Sequence, residues 1–250
     1  MIDILILVFG LVFGSFIAAY SYRYLRDIKI SKGFSFCDEC KTKIKWYENI
    51  PVLSYLFLGG KCKTCKKKIS PRYPIIEFIS ALSFLALFIY NNNILDFNYL
   101  LLITYYLLLS LIFIIDLEHQ IIPDDFVFTG IAIAFLYLLI LGGSNIFSSI
   151  FAGLAASNFL AIVFLITKGQ GMGLGDVKFA VLGGMLIGIN YLFVWMFAAF
   201  LTGAIVGIIL ILVGNAKLKD KIAFGPFLIV SIPIAFVWGQ KFVDMLGISL

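Results

Sequence analysis

The sequence predicts an all-α polytopic membrane protein: about eight transmembrane helices, with a zinc-stapled cytoplasmic loop between helices 1 and 2. Three observations predict it. Of the 250 residues, 62% are hydrophobic and only 13% charged, whereas a soluble domain carries about 25% charged residues and about 45–50% apolar ones. The apolar residues gather into runs near the roughly 20 residues a spanning helix needs, and the mean hydropathy is +1.06. Of the 19 Lys and Arg residues, 13 lie between Arg23 and Arg72, so basic charge is concentrated in one polar stretch.

The first apolar run covers roughly residues 2–22. Asp3 precedes it, and Arg23 and Arg26 follow it. A cleavable signal peptide has the opposite order, with its positive charge ahead of the apolar run. The run is therefore expected to stay as a first helix, N-terminus outside and basic flank inside. The polar stretch 23–73 comes next. Seven more apolar runs follow at roughly 74–90, 98–116, 125–141, 146–167, 176–189, 191–213 and 223–243. The run at 176–189 is short and has to tilt or sink partly into a cavity. The connections "NNNILDFN", "GGSN", "TKGQGMGLGD" and "GNAKLKDK" are rich in Asn and Gly, the usual turn residues. No internal repeat is apparent. The expected division is 1–22 as the first transmembrane helix, 23–73 as a cytoplasmic four-cysteine zinc loop and 74–250 as the membrane core.

Charge tests the orientation. With the N-terminus outside, the long basic loop is cytoplasmic, "NNNILDFN" and "GGSN" lie outside, and "DLEHQIIPDD", "TKGQGMGLGD" and "GNAKLKDK" lie inside. The two outside connections carry no Lys or Arg, and the last inside one carries three Lys, as the positive-inside rule requires. Asp116 and Asp176 then arrive at the same cytoplasmic membrane boundary from different helices.

A carboxylate within a spanning segment costs on the order of 2.5–3.5 kcal/mol on insertion scales, and such residues are functional candidates. Asp116 and Asp176 are the first two, with Asp124 and Asp125 behind them. A structural role is open for each. Asp176 and Asp124 sit where an N-cap is expected, and Asp116 reads as the first polar residue after a helix ends. Gly171, Gly173 and Gly175 weigh against a plain cap. Gly disfavours a helix interior by about 1 kcal/mol relative to Ala, but it permits unusual dihedrals or a close backbone approach. Two neighbouring carboxylates in a semi-buried, wet site share one proton; the ionised one takes a proton from water and the other polarises a peptide carbonyl. No Ser–His–Asp arrangement competes. The single histidine, His119, reads as a solvated residue in a cytoplasmic turn.

The four cysteines lie in the polar loop as Cys37-x2-Cys40 and Cys62-x2-Cys65, with 21 residues between the two pairs. Two such knuckles read as four thiolates around a structural zinc. Disulfides are the rival, and a cytoplasmic location disfavours them. The loop's cations also suit anionic lipid headgroups.

"DLEHQIIPD" followed by "GMGLGDVK" resembles the type IV prepilin peptidase family, the bifunctional GxGD membrane aspartyl proteases. The likeness extends through "FGSF", "CDEC", "ENIPVLSYLFLGGKCKTC" and "ISPRYPIIEF", in the family's order over most of the first 180 residues. The resemblance implies removal of a short basic leader from prepilin-like proteins, then S-adenosylmethionine-dependent N-methylation of the new amino terminus. It assigns Asp116 and Asp176 as the catalytic pair, with Gly173 and Gly175 as motif backbone; Lys178 also matches the motif. Glu77 matches the family glutamate of "RYPIIE" and is implied in methyl transfer, beside its alternative as an acid favoured at a helix N-terminus. Ala18, "RYLR" and "LGGKC" depart from the family's usual asparagine, "R-L-P" and "LRGKC"; all three lie on the side associated with methylation.

The expected substrates are prepilin, pseudopilin or competence-pilin precursors in the bacterial inner membrane. Glu118, Asp124 and Asp125 are candidates for attracting the leader. Membrane lipids are the other expected partner, and no nucleic acid is expected. Two readings of other classes compete: a transporter or channel with the aspartates as a proton or cation relay, and a scaffold relative without activity. A peptidase lacking the methyltransferase is a third variant.

Overall fold

The computed structural model describes residues 2–24, 26, 34–141, 146–214, 217 and 222–245. Among them nine α-helices follow in order: α1 Ile2–Tyr24, α2 Leu53–Phe57, α3 Arg72–Tyr90, α4 Phe97–His119, α5 Asp124–Leu141, α6 Ile146–Ile166, α7 Leu174–Ile187, α8 Ile189–Leu212 and α9 Gly225–Met245. All but the short α2 coincide with the eight apolar runs. The connection "GGSN" and most of "GNAKLKDK" lie outside the described residues.

Six of the described helices, α1, α3, α4, α6, α8 and α9, are long and apolar enough to cross a membrane. By that measure six of the eight expected spans are accounted for, and α5 and α7 are the two that are not. Helix α7 has only 14 residues, about 21 Å of rise against a hydrocarbon core of about 30 Å. It stops because Gly188, at φ 75, turns the chain straight into α8. Helix α5 has 18 residues and opens on two aspartates. Helix α4 also differs from expectation. It runs to His119, so Asp116 sits within its last turns and is not the first residue past a helix end.

The chain forms two compact units, Met1–Leu111 and Ile112–Leu250. In the first, α1 packs along α3. Gly10 and Gly14 make this possible: a Cβ on Gly10 would lie 2.6 Å from the Ala81 Cα, and one on Gly14 would lie 2.7 Å from the Glu77 Cα. Small residues four apart let two membrane helices touch through their backbones. Arg72 closes the far end, donating to the Ala18 carbonyl at 2.8 Å and to Ser21 Oγ at 2.7 Å. A Gly10→Leu chain is expected to lose about 1–3 kcal/mol of stability through overpacking, read as a lower thermal midpoint in detergent.

In the second unit α7 packs against α5, α6, α8 and α9. A Cβ on Gly184 would lie 2.7 Å from the Ala152 carbonyl oxygen of α6. Trp195 of α8 is fully buried. Its ring covers Gly183 of α7, and its indole N–H donates to the Leu228 carbonyl of α9 at 2.9 Å. One side chain thereby joins three helices.

Candidate active site and metal centre

Asp116 comes from the end of α4 and Asp176 from the first turn of α7. They are 4% and 7% exposed, against a surface on which neighbouring Asp124 and Asp125 lie open. Asp176 Oδ2 accepts the Gly173 N–H at 3.0 Å. Asp176 is thus the third residue of its helix reaching back to the cap position, half of a capping box, and not the N-cap itself.

Ile122, in the link between α4 and α5, draws the pieces together. A Cβ on Gly175 would lie 2.9 Å from Ile122 Cβ. One on Gly225 would lie 3.0 Å from Ile122 Cδ1 and 2.5 Å from Asp116 Oδ2. The end of α4 and the beginnings of α7 and α9 therefore meet at one place, and the Asp176 charge acts on Asp116 there. The Gly225 N–H faces the Asp116 carboxyl. Asp116 Oδ2 itself is buried without a hydrogen-bond partner among the described residues.

The motif glycines serve approach more than dihedral freedom. Gly173 has φ −87 and ψ 156, extended backbone open to any residue. The left-handed positions before α7 are Lys168 and Gly169. Gly175 is needed because Ile122 occupies the space of a side chain. Lys178 Nζ lies 2.8 Å from both Asp124 carboxylate oxygens, tying α7 to α5. His119 is half-buried with its Nε2 enclosed, 3.9 Å from Glu118 Oε2, and does not sit in a solvated turn. Asp116, Asp176, Gly173 and Gly175 are thus brought together. Gly225 and Ile122 join them without having been singled out in the sequence, and Trp195 ties their helices from Gly183 and Leu228; the Gly-Pro pair at 225–226, opening an apolar run, was the legible signal for Gly225.

In the first unit the four cysteine sulfurs lie within 4.8 Å of one another. Cys37 and Cys65 are 3.9 Å apart, and Cys40 and Cys62 are 4.0 Å apart. A disulfide needs about 2.05 Å, and all four thiols are free. A tetrahedron with Zn–S bonds near 2.3 Å has edges of roughly 3.8 Å, so the arrangement fits a metal held by four sulfurs. The two knuckles form a structural repeat, and a short sequence repeat underlies it, since residues 37–44 and 62–69 share C-x2-C-K-x-K-I, which corrects the expectation of no internal repeat. Cys37 N–H donates to the Thr42 carbonyl and Lys41 N–H to that of Cys37; Cys62 does the same with Lys67, and Lys66 with Cys62. Lys41 and Lys66 take matching left-handed φ of 56 and 60. Thr42, through its hydroxyl 3.2 Å from Cys40 Sγ and through its backbone, holds that thiol down to about 6. Cys40 is therefore ready as a thiolate at neutral pH.

Beside the knuckles lies a cavity of about 500 Å³ lined by Tyr22, Asp38, Glu48, Tyr55, Tyr73 and Glu77, among others. Glu77 is buried. Its Oε2 accepts the Val52 N–H at 2.7 Å, and the Ser15 hydroxyl is a second partner. The Glu77 bond holds Val52 at φ 60 and ψ −50, a conformation unusual for a β-branched residue.

Two family descriptions match the chain: the bacterial peptidase A24 N-terminal domain over residues 8–91, and the type IV leader peptidase family over residues 102–208. A prepilin leader peptidase/N-methyltransferase of Legionella pneumophila is 34% identical over 222 residues, covering 84% of this chain and 74% of that protein. The chain belongs to the type IV leader peptidase family. Relatives of the same name in Pseudomonas aeruginosa, 34% identical over 83% of this chain and 72% of that protein, and in Bacillus subtilis, 29% identical over 96% of each, agree. No solved structure is significantly similar. The first family description lies wholly within the first unit, and the second begins within α4, shortly before the boundary between the units. None of these relatives favours the ion-relay reading.

Proposed function

We propose that the chain is a membrane aspartyl endopeptidase that removes the basic leader of prepilin-like precursors at the cytoplasmic face, and then methylates the new amino terminus. The observation that carries the first activity is the delivery of two buried carboxylates, Asp116 and Asp176, to one point by the end of α4 and the start of α7. With Asp176 Oδ2 engaged by Gly173, its other oxygen takes a proton from water. The proton of the pair rests on Asp116 Oδ2, the enclosed oxygen without a partner. From there it polarises the scissile carbonyl. Water oxygen bonds to the carbonyl carbon, the C–N bond breaks, and the proton taken by Asp176 passes to the leaving amine.

The same meeting point supports eight crossings. For the end of α4 and the starts of α7 and α9 to coincide, α5 must go as far as α6 returns, and α7 as far as α8 returns. The short helices then cross with the long ones, tilted or beside a cavity. The positive charge of the basic loop favours an outside N-terminus and carboxylates on the inside. Glu118, Asp124 and Asp125 form an acidic rim for the leader's cations, Asp124 by exchange with Lys178.

For the second activity, the cavity beside Glu77 has the size of a small-molecule site, and its carboxylates and tyrosine rings suit a sulfonium cation. S-adenosylmethionine, when bound, supplies the methyl group. Glu77 and Asp38 attract its charge, and Glu77 accepts the amine proton. The Cys37, Cys40, Cys62 and Cys65 thiolates hold a structural zinc that fixes the cavity wall.

Intact mass of a prepilin after incubation tests both activities. Leader loss is expected without donor, and a further gain of roughly 14 Da with it. A prepilin that keeps its leader overturns the reading. Glu77→Gln and Cys62→Ser are each expected to lose more than about tenfold of the methyl gain while leader removal persists; zinc release is read with a colorimetric chelator.

A further inference from the structure

Helix α2 is amphipathic in an inverted sense. Ser54, Tyr55 and Leu58 face the cavity. Leu53, Leu56 and Phe57, at i, i+3 and i+4, share the other side of the helix and are open, Leu56 at 66% and Phe57 at 88%. Just before it, Trp46 is 81% exposed and stands edge-on to Tyr47 at 5.7 Å. Water is a poor cover for such a surface. The segment is nevertheless built rigidly, since the Glu77 carboxylate holds its strained entry at Val52.

Its surroundings point to one cover. Lys45 and Lys63 lie 5.8 and 5.6 Å from the Tyr47 ring, so cations and aromatic rings share this edge of the loop. Both knuckles that flank the segment are rich in lysine. In the same unit, α1 ends at Tyr24 and α3 begins at Arg72, and both are candidate membrane spans. Aromatic rings with lysines beside the end of a spanning helix are the composition of the membrane–water interface.

We propose that the Leu53–Leu56–Phe57 face of α2, together with Trp46, is seated in the headgroup–acyl boundary of the membrane that α1 and α3 cross. The bilayer then backs the wall that α2 gives to the cavity, and the flanking lysines meet the lipid phosphates. A pilin helix or a second copy of this chain is the rival cover; the lysine-rich flanks and the adjoining spans favour lipid.

The test uses the full chain in lipid nanodiscs. The emission of Trp46 is obtained as the difference between the unmodified chain and Trp46→Phe. Phe57→Trp gives a second reporter by the same subtraction, so failure of one variant to fold leaves the other. Both indoles are expected to be quenched more than about twofold by lipids brominated near the headgroup, and to resist acrylamide, as interfacial rings do. Free quenching by acrylamide with no effect of bromolipid overturns the proposal. So does protection that appears only when prepilin is added, or only when two chains share a disc. The readout does not involve methyl transfer, so it stands or falls apart from the assigned activities.

Discussion

Asp116→Asn or Asp176→Asn leaves the leader on prepilin. Each change keeps the side-chain volume. In Asp176→Asn the amide oxygen still accepts the Gly173 N–H that the carboxylate accepts at 3.0 Å, so α7 keeps its first turn. What disappears is the proton traffic: an amide neither takes a proton from water nor gives one to the leaving amine. General acid–base catalysis contributes about 10²- to 10⁴-fold, and a loss of that size in single-turnover cleavage is expected from either substitution, with an unchanged thermal midpoint. Methylation of a prepilin supplied already cleaved is expected to survive, because Glu77 and the cavity are built within residues 1–111. Either variant cleaving at the unmodified rate removes the carboxylate pair from the mechanism.

Gly225→Ala is expected to lower cleavage by about 10- to 100-fold, in the range where a displacement near 1 Å at the reacting groups costs about 10². The added methyl would sit 2.5 Å from Asp116 Oδ2 and 3.0 Å from Ile122 Cδ1. Neither can retreat far. Asp116 is enclosed, and Ile122 is already pressed against Gly175 of the other carboxylate's helix. Helix α9 cannot simply withdraw, because Trp195 grips its Leu228 carbonyl. The expected signature is a fall in kcat with KM little changed, since the substitution disturbs the reacting pair more than the rim that draws the leader. A Gly225→Ala chain with full kcat would mean that α9 does not abut the site.

The sequence carried the eight helical runs because each is a long apolar stretch bounded by turn residues; for the six long enough to span, lipid imposes that length and polarity, and the constraint is written in composition. It carried the cysteine knuckles because two C-x2-C pairs are the spacing that lets four sulfurs converge on one point, as they do here. The finer boundaries were not written there. Gly188 ended α7 early, and helix α4 continued through Asp116 to His119, since a carboxylate next to an apolar run looks the same inside a last turn as beyond it. The likeness of the two knuckles was legible too, in the shared C-x2-C-K-x-K-I of residues 37–44 and 62–69; the matching left-handed turns at Lys41 and Lys66 are what the structure added.

By itself, then, the sequence determined a helical chain with membrane-spanning runs and four cysteines paired in one polar loop, and it singled out two aspartates on different helices. Only the tertiary structure decided which further residues stand beside them. Gly225 comes from a helix more than 100 positions along the chain from Asp116, and Ile122 looked like an ordinary linker residue. Their meeting depends on how α4, α7 and α9 end against one another, and that is set by close packing: the absent side chains at Gly175 and Gly184 and the single large one at Trp195. Such complementarity is a property of pairs of surfaces, and a linear pattern of residue types does not contain it.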